Sequence, residues 1–122
     1  MFFLNSFLNN EENTFFLIMD PFVDLHMHTT FSDGIKTPEE LILFAKSRNV
    51  KVMSINDHDT VNGVINMLGL SFEGIRVLCG IELSSSYLDG STIHIAGYFP
   101  RDTNFQELQS ELSVRVTEKR FS

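Results

Sequence analysis

An α/β fold of alternating strands and helices is predicted by three features of this sequence. Apolar runs of strand length lie at Phe22 to Met27, Val50 to Ile55 and Ile75 to Leu83. The first two are each followed by a polar loop and then by a helical pattern. The residues able to do chemistry gather just past strand C-termini, which is where parallel α/β sheets and barrels place their active sites. A length of 122 residues suits one domain with a modest core.

Residues 1–19 stand apart. Phe2-Phe3-Leu4 and Phe15-Phe16-Leu17-Ile18-Met19 are apolar, but Asn5, Asn9, Asn10, Glu11, Glu12 and Asn13 interrupt them, and no Lys or Arg precedes Lys36. A secretory signal needs a cationic start and a continuous apolar run, and a membrane span needs about 20 apolar residues. The segment is therefore read as an apolar, poorly ordered extension, with Met19-Asp20-Pro21 as an alternative native start.

From Phe22 the elements follow in order. Phe22 to Met27 is a short strand running into His26 and His28, and Thr29 to Gly34 is the loop beyond it. Thr37-Pro38-Glu39-Glu40 combines an N-cap Thr, Pro at the first helical position and Glu three residues after the cap, so a helix starts there. Leu41, Leu43, Phe44 and Ala45 carry it to about Arg48, with Asn49 as a stop. Val50 to Ile55 is the second strand, and a shorter helix covers Val61 to Leu70. Ile75 to Leu83 is the third strand, and Asp89-Gly90 marks a hairpin turn into an alternating segment, Thr92 to Tyr98. After Pro100, Asn104 and Glu107 form another capping pair, and Phe105, Leu108, Leu112 and Val116 recur at helical spacing.

Composition narrows the function classes. The chain is 43% hydrophobic and 20% charged, which suits a globular protein, and no membrane partner is expected. A net charge of −7 argues against a nucleic-acid binder held by a basic surface, so stable duplex binding is not expected. It does not exclude a phosphate substrate, because bound metal ions supply local positive charge that the formal count omits. The single Cys79 cannot form an internal disulfide, which suits a reducing cytoplasm, and Val77-Leu78-Cys79 reads as a buried strand with an inert thiol.

All four histidines fall in polar motifs. His26 and His28 are flanked by Asp24 and Asp33, His58 sits in Asn56-Asp57-His58-Asp59, and His94 follows Glu82 by one hairpin. Alternation in a strand points the rings of His26 and His28 to one face, and buried imidazoles and carboxylates need charged partners. The set His26, His28, Asp33, His58, Glu82 and His94 offers oxygen and imidazole nitrogen donors without thiolate, which suits Zn²⁺, Mn²⁺ or Fe²⁺. Clusters of two or three such ions act on phosphate esters by clamping the attacking and leaving oxygens and by acidifying water. Each piece also has a plainer explanation: His94 within Ile93-His94-Ile95 as a hydrogen-bonded core residue, and Asp57 or Asp59 as a helix cap. Convergence of His and Glu at three consecutive strand ends favours the metal reading.

Four ordered motifs then carry a resemblance. Asp24-Leu25-His26-Met27-His28-Thr29-Thr30-Phe31-Ser32-Asp33-Gly34, Ser54-Ile55-Asn56-Asp57-His58-Asp59-Thr60, Gly80-Ile81-Glu82-Leu83-Ser84 and Ile93-His94-Ile95-Ala96-Gly97-Tyr98 resemble the motifs of the polymerase and histidinol phosphatase (PHP) family. The resemblance spans about Val23 to Arg120 and is nearest to the small stand-alone phosphoesterases that act on nucleoside 3′,5′-bisphosphates and on 5′ ends of short RNA. It implies a distorted (β/α)7 barrel related to the TIM barrel, and two or three divalent ions as cofactors. It further implies that His26 and His28 bind one ion, that Glu82 bridges it to a neighbour completed by His94, and that Asp33 and His58 hold a further ion. Asp24 and Asp57 would support ligands, since a ligating imidazole usually has its other nitrogen fixed by an acceptor. The implied mechanism is attack of metal-bound hydroxide on phosphorus, with no catalytic residue beyond the metal ligands.

The family pattern also contains a further His and a late Asp-x-His, and no histidine follows His94 here. Residues 20–122 are therefore expected to be the N-terminal part of such a domain, apparently truncated, which needs a C-terminal half to close its sheet edges and complete its site. Three readings follow: a cytoplasmic phosphoesterase acting on a nucleotide or short RNA, an inactive fragment that binds metal or phosphate, or a nonfunctional fragment.

Overall fold

The computed structural model describes residues 22–121, with side chains described to Arg115. The expectation of a poorly ordered extension over residues 1–19 lies outside these residues, as does the side chain of Val116. Among the described residues four strands and three helices follow in the order β1 (Phe22–Met27), α1 (Pro38–Ser47), β2 (Val50–Ile55), α2 (Asn62–Leu68), β3 (Arg76–Ser86), β4 (Thr92–Phe99) and α3 (Phe105–Phe121).

The strands form one sheet in the order β1-β2-β3-β4. The pairs β1–β2 and β2–β3 are parallel, while β3–β4 is an antiparallel hairpin in register from Cys79↔Phe99 to Ser86↔Thr92. The sheet is thus mixed, and β3 extends three residues past the expected end at Leu83 because β4 pairs with it as far as Ser86. Gly90, at φ 87, supplies the left-handed backbone of the hairpin turn, and Asp89 accepts the Ser91 N–H and hydroxyl.

Alternation divides the sheet into two chemically distinct faces. Met53, Ile55, Val77, Cys79 and Ile81 point into a core shared with Ile42 and Ala45 of α1, Val64 and Met67 of α2, and Phe105 and Leu112 of α3. The opposite face carries Ser54, Asn56, Gly80, Glu82, Ser84 and His94. A Tyr98 hydroxyl on β4 donates to the Leu25 carbonyl on β1 at 2.5 Å. Three flat interstrand spacings would separate these strands by roughly 14 Å, too far for one side chain, so the sheet curls around its polar face.

Local chemistry explains the helices. Thr37 and Glu40 make the reciprocal capping box, and Asn49, at φ 63, ends α1. The buried face of α1 is Pro38, Ile42 and Ala45, whereas Leu43 and Phe44 are exposed and Lys36 and Arg48 lie over the Phe44 ring. The N-terminus of α2 is not capped by Asp57 or Asp59. Its Val61 N–H donates to Gln109 Oε1 of α3 at 2.7 Å, and the Asn62 N–H donates to Thr60 Oγ1 at 3.1 Å.

Candidate metal centre

Three strand ends and one hairpin strand bring the histidines together. β1 irregularity comes first: pairing shifts between Asp24↔Met53 and Met27↔Ile55, giving β1 one extra residue in the stretch that holds Leu25 and His26. Such an irregularity bends a strand and re-aims its side chains. His26 and His28 then lie with ring centroids 5.1 Å apart.

β2 delivers His58 by a different device. The strand ends at Ile55, but the chain pairs with β3 once more, as the Glu82 N–H donates to Asp57 O and the Asp59 N–H donates to Glu82 O, both at 3.0 Å. Asp59 takes a left-handed conformation, φ 54, and its carboxylate accepts the Ser84 N–H at 2.8 Å. His58 is thereby held directly beside Glu82.

Glu82 is the hub. Its Oε1 is hydrogen-bonded to His26 Nε2 and lies 3.7 Å from His28 Nε2. Its Oε2 lies 2.9 Å from His58 Nδ1 and 2.9 Å from His94 Nδ1. His94 reaches it diagonally across the hairpin, from the position paired with Ser84. Asp33 faces the other side of the cluster, with Oδ2 3.1 Å from His58 Nε2 and Oδ1 3.4 Å from His28 Nδ1. The His28 and His58 rings stack at 4.5 Å.

Burial and charge set the state of the hub. Glu82 is buried, which pushes its carboxyl up, but the His26 hydrogen bond and the nearby His58, His26 and His28 imidazoles outweigh burial and hold it below the usual carboxylate range. An ionised carboxylate with each oxygen faced by two ring nitrogens is a suitable bridge for cations.

The donor set fits divalent ions. Three groups, His26/His28/Glu82, His28/Asp33/His58 and His58/Glu82/His94, each offer three ligand atoms within 4.8 Å of one another. His28 Nδ1 is also buried without a hydrogen-bond partner, although Asp33 lies near it. An orphaned imidazole nitrogen beside a carboxylate is a lone pair or proton without a place to go, and a cation would supply one.

The structure gathers all six residues of the expected ligand set. Among the described hydrogen bonds the two expected supporting aspartates accept from backbone N–H groups and hydroxyls rather than from imidazoles. Asp24 Oδ1 accepts the backbone N–H of His26 at 3.2 Å. Asp57, itself buried, accepts the Thr29 N–H at 2.6 Å and the Thr29 and Ser32 hydroxyls at 2.7 Å each. It therefore ties the loop carrying Asp33 to the strand end carrying His58. Thr29 and Ser32 read as ordinary loop residues in sequence, and only their shared partner reveals this task. Gly63 belongs to the same arrangement, since a Cβ there would lie 2.4 Å from Asp57 Oδ2.

Alternating strands and helices with carboxylates and imidazoles gathered at the strand ends define an α/β domain with a candidate metal centre. Residues 24–119 match the PHP domain, and the chain belongs to that family. It is 39% identical over 75 residues to a 5′-3′ exoribonuclease from Haemophilus influenzae, covering 61% of this chain and 27% of that protein. It is 37% identical over 76 residues to the 3′,5′-nucleoside bisphosphate phosphatase of Chromobacterium violaceum, covering 62% of this chain and 26% of that one. Among solved structures, a candidate metal-dependent phosphoesterase from Bifidobacterium adolescentis superposes with a TM-score of 0.62 at 28% identity, over 77% of this chain and 34% of its own. The chain thus spans about a quarter of the length of the two curated relatives. No described helix is long and apolar enough to cross a membrane.

Proposed function

We propose that this chain is a metal-dependent phosphoesterase that hydrolyses phosphate mono- or diesters of the nucleoside bisphosphate or RNA 5′-end type. The observation that carries the reading is Glu82, whose two oxygens each meet two imidazole nitrogens contributed by three other segments. In this reading His26, His28 and Glu82 hold one ion, His58, Glu82 and His94 hold its neighbour, and His28, Asp33 and His58 hold a third. Mn²⁺, Zn²⁺ and Fe²⁺ all suit these donors.

Bound ions would neutralise phosphate oxygens and acidify the attacking water. The chain's own contribution is to hold the donors in place. Glu82 stays ionised because the imidazoles around it outweigh its burial, and it presents one oxygen to each side of the cluster. The backbone pairing of Asp57 and Asp59 with Glu82 keeps His58 aimed at that carboxylate, and Asp57 holds the Thr29 to Ser32 turn so that Asp33 meets His58. Imidazole nitrogens must be unprotonated to accept an ion.

Relatives named for RNA and for nucleoside bisphosphates support the substrate class. In this reading residues 20–122 would form part of a PHP domain, with the curled sheet corresponding to the first strands of a distorted seven-unit barrel. The test is hydrolysis of adenosine 3′,5′-bisphosphate and of bis(p-nitrophenyl) phosphate with added Mn²⁺, by the full chain and by its His26→Ala variant. A rate above background that the variant loses is expected. Equal rates for the two proteins would sink the phosphoesterase reading.

The span of about a quarter of those relatives favours a second reading, a partial site that holds ions or phosphate without turnover. Its signature is Mn²⁺ retention, lost in the His26→Ala variant, with no hydrolysis by either protein.

A further inference from the structure

Tyr98 lies outside the ligand set yet touches β1, the strand that carries His26 and leads into the loop holding His28 and Asp33. Its hydroxyl donates to the carbonyl of Leu25, the residue immediately before His26. Leu25 and His26 occupy the irregular stretch of β1 that has no in-register partner on β2, between Asp24↔Met53 and Met27↔Ile55. Among the described residues β1 is also an edge strand, with no further strand on its other side. The backbone that aims His26 therefore lacks the usual ladder restraint, and the Tyr98 hydroxyl supplies one from the far edge of the sheet.

The route across the sheet is built for this contact. Tyr98 is paired in register with Gly80, which has no side chain. A Cβ on Gly80 would lie 2.6 Å from Asn56 Nδ2 and 2.8 Å from Ser54 Oγ, so the polar face is filled by short side chains beneath the tyrosine. Tyr98 also shares its face of β4 with His94, and Glu82 and Gly80 share the facing side of β3. One side chain thus links the β4 segment that presents His94 to the β1 segment that presents His26, with Glu82 between them.

We propose that Tyr98 is a positioning residue for the candidate metal centre, a strut that fixes the His26 backbone relative to Glu82 and His94. The part concerning metal affinity rests on the metal-centre reading; the part concerning His26 geometry does not. Because the residue is half-exposed, Tyr98→Phe removes the hydroxyl with little disturbance to packing. Lost outer partners of ligands commonly weaken metal affinity by about 10- to 100-fold, and a restraint acting through the backbone belongs at the lower end, about tenfold.

The test compares wild type, Tyr98→Phe and His26→Ala as full chains, with no substrate. Histidine ring proton signals are recorded by NMR without metal, and Mn²⁺ affinity is measured by calorimetry. The strut predicts that Tyr98→Phe moves the His26 ring signals, leaves those of His58 in place, and weakens Mn²⁺ binding about tenfold with unchanged stoichiometry. Unchanged His26 signals in Tyr98→Phe would overturn it. So would equal movement of all four histidines with a lowered melting temperature, which marks a general structural role. If His26→Ala binds Mn²⁺ as tightly as wild type, the metal-centre reading fails by itself, and the strut is then decided by the His26 signals alone.

Discussion

His58 and Glu82 are joined twice: by the backbone hydrogen bonds that flank His58 and by the 2.9 Å approach of His58 Nδ1 to Glu82 Oε2. The first contact makes the second inexpensive, because the imidazole is delivered to the carboxylate by strand pairing rather than by a free side-chain search. The centre is therefore built on sheet geometry, and its sensitivity to substitution follows from that.

Glu82→Gln keeps the shape of the hub and removes its charge. Since Glu82 contacts all four imidazoles, Mn²⁺ affinity should fall by at least about 100-fold, at or beyond the upper end of losses seen for outer partners of ligands. Calorimetry on the purified variant checks this. Retention of wild-type affinity would remove Glu82 from the ligand set.

Asp57→Ala should act chiefly on stability. It leaves the buried Thr29 N–H and hydroxyl without their partner, and unsatisfied buried groups cost about 1–3 kcal/mol each. A loss of about 2–4 kcal/mol in urea unfolding is expected, since the loop can relax toward water. Gly63→Ala should destabilise through the same carboxylate, by about 1–3 kcal/mol of overpacking. A Gly63→Ala protein as stable as wild type would show that Asp57 has room to move.

The α1 capping box gives a pH-dependent effect remote from the centre. Thr37→Ala should cost about 1 kcal/mol at neutral pH. Hydrogen bonding to the Thr37 side chain, and then to its backbone N–H, holds the Glu40 carboxyl below its ordinary value of 4.5. A carboxyl depressed in the folded state contributes stability that is present above its unfolded value and disappears as pH falls through the folded one. The difference between wild type and Thr37→Ala in urea midpoints should therefore shrink below about pH 4. A difference that stays constant down to pH 2.5 would contradict the box.

Cys79 offers a probe of opening. Burial raises its thiol, partly offset by Arg101, and the residue sits in the core at 2% exposure. Iodoacetamide at pH 8 should modify it only through unfolding, so the labelling rate should rise with urea in step with the loss of secondary structure. Rapid labelling of the native protein would place β3 outside the stable core.

Much of the fold was legible in local sequence. The bounds of β1 and β2, the Thr37 cap, the Asn49 stop and the Asp89-Gly90 turn follow from chain geometry within a few residues, and such signals survive folding unchanged. The buried side of α1 was less clear. Four apolar positions compete there, and Ile42 rather than Leu43 or Phe44 meets the sheet, a choice made by the docking angle of the helix.

What the sequence by itself determined is the inventory: four histidines, Asp33 and Glu82, set at strand ends in the order of a PHP domain. Donor chemistry is a property of residue type and needs no coordinates. The tertiary structure alone decided that Glu82 is the hub, that Asp57 spends its carboxylate on Thr29 and Ser32, and that Tyr98 reaches Leu25. These relationships join residues 12 to 73 positions apart. They depend on the curl of the sheet and the irregular register of β1, which arise from packing and pairing across the whole chain rather than from any local run of residues.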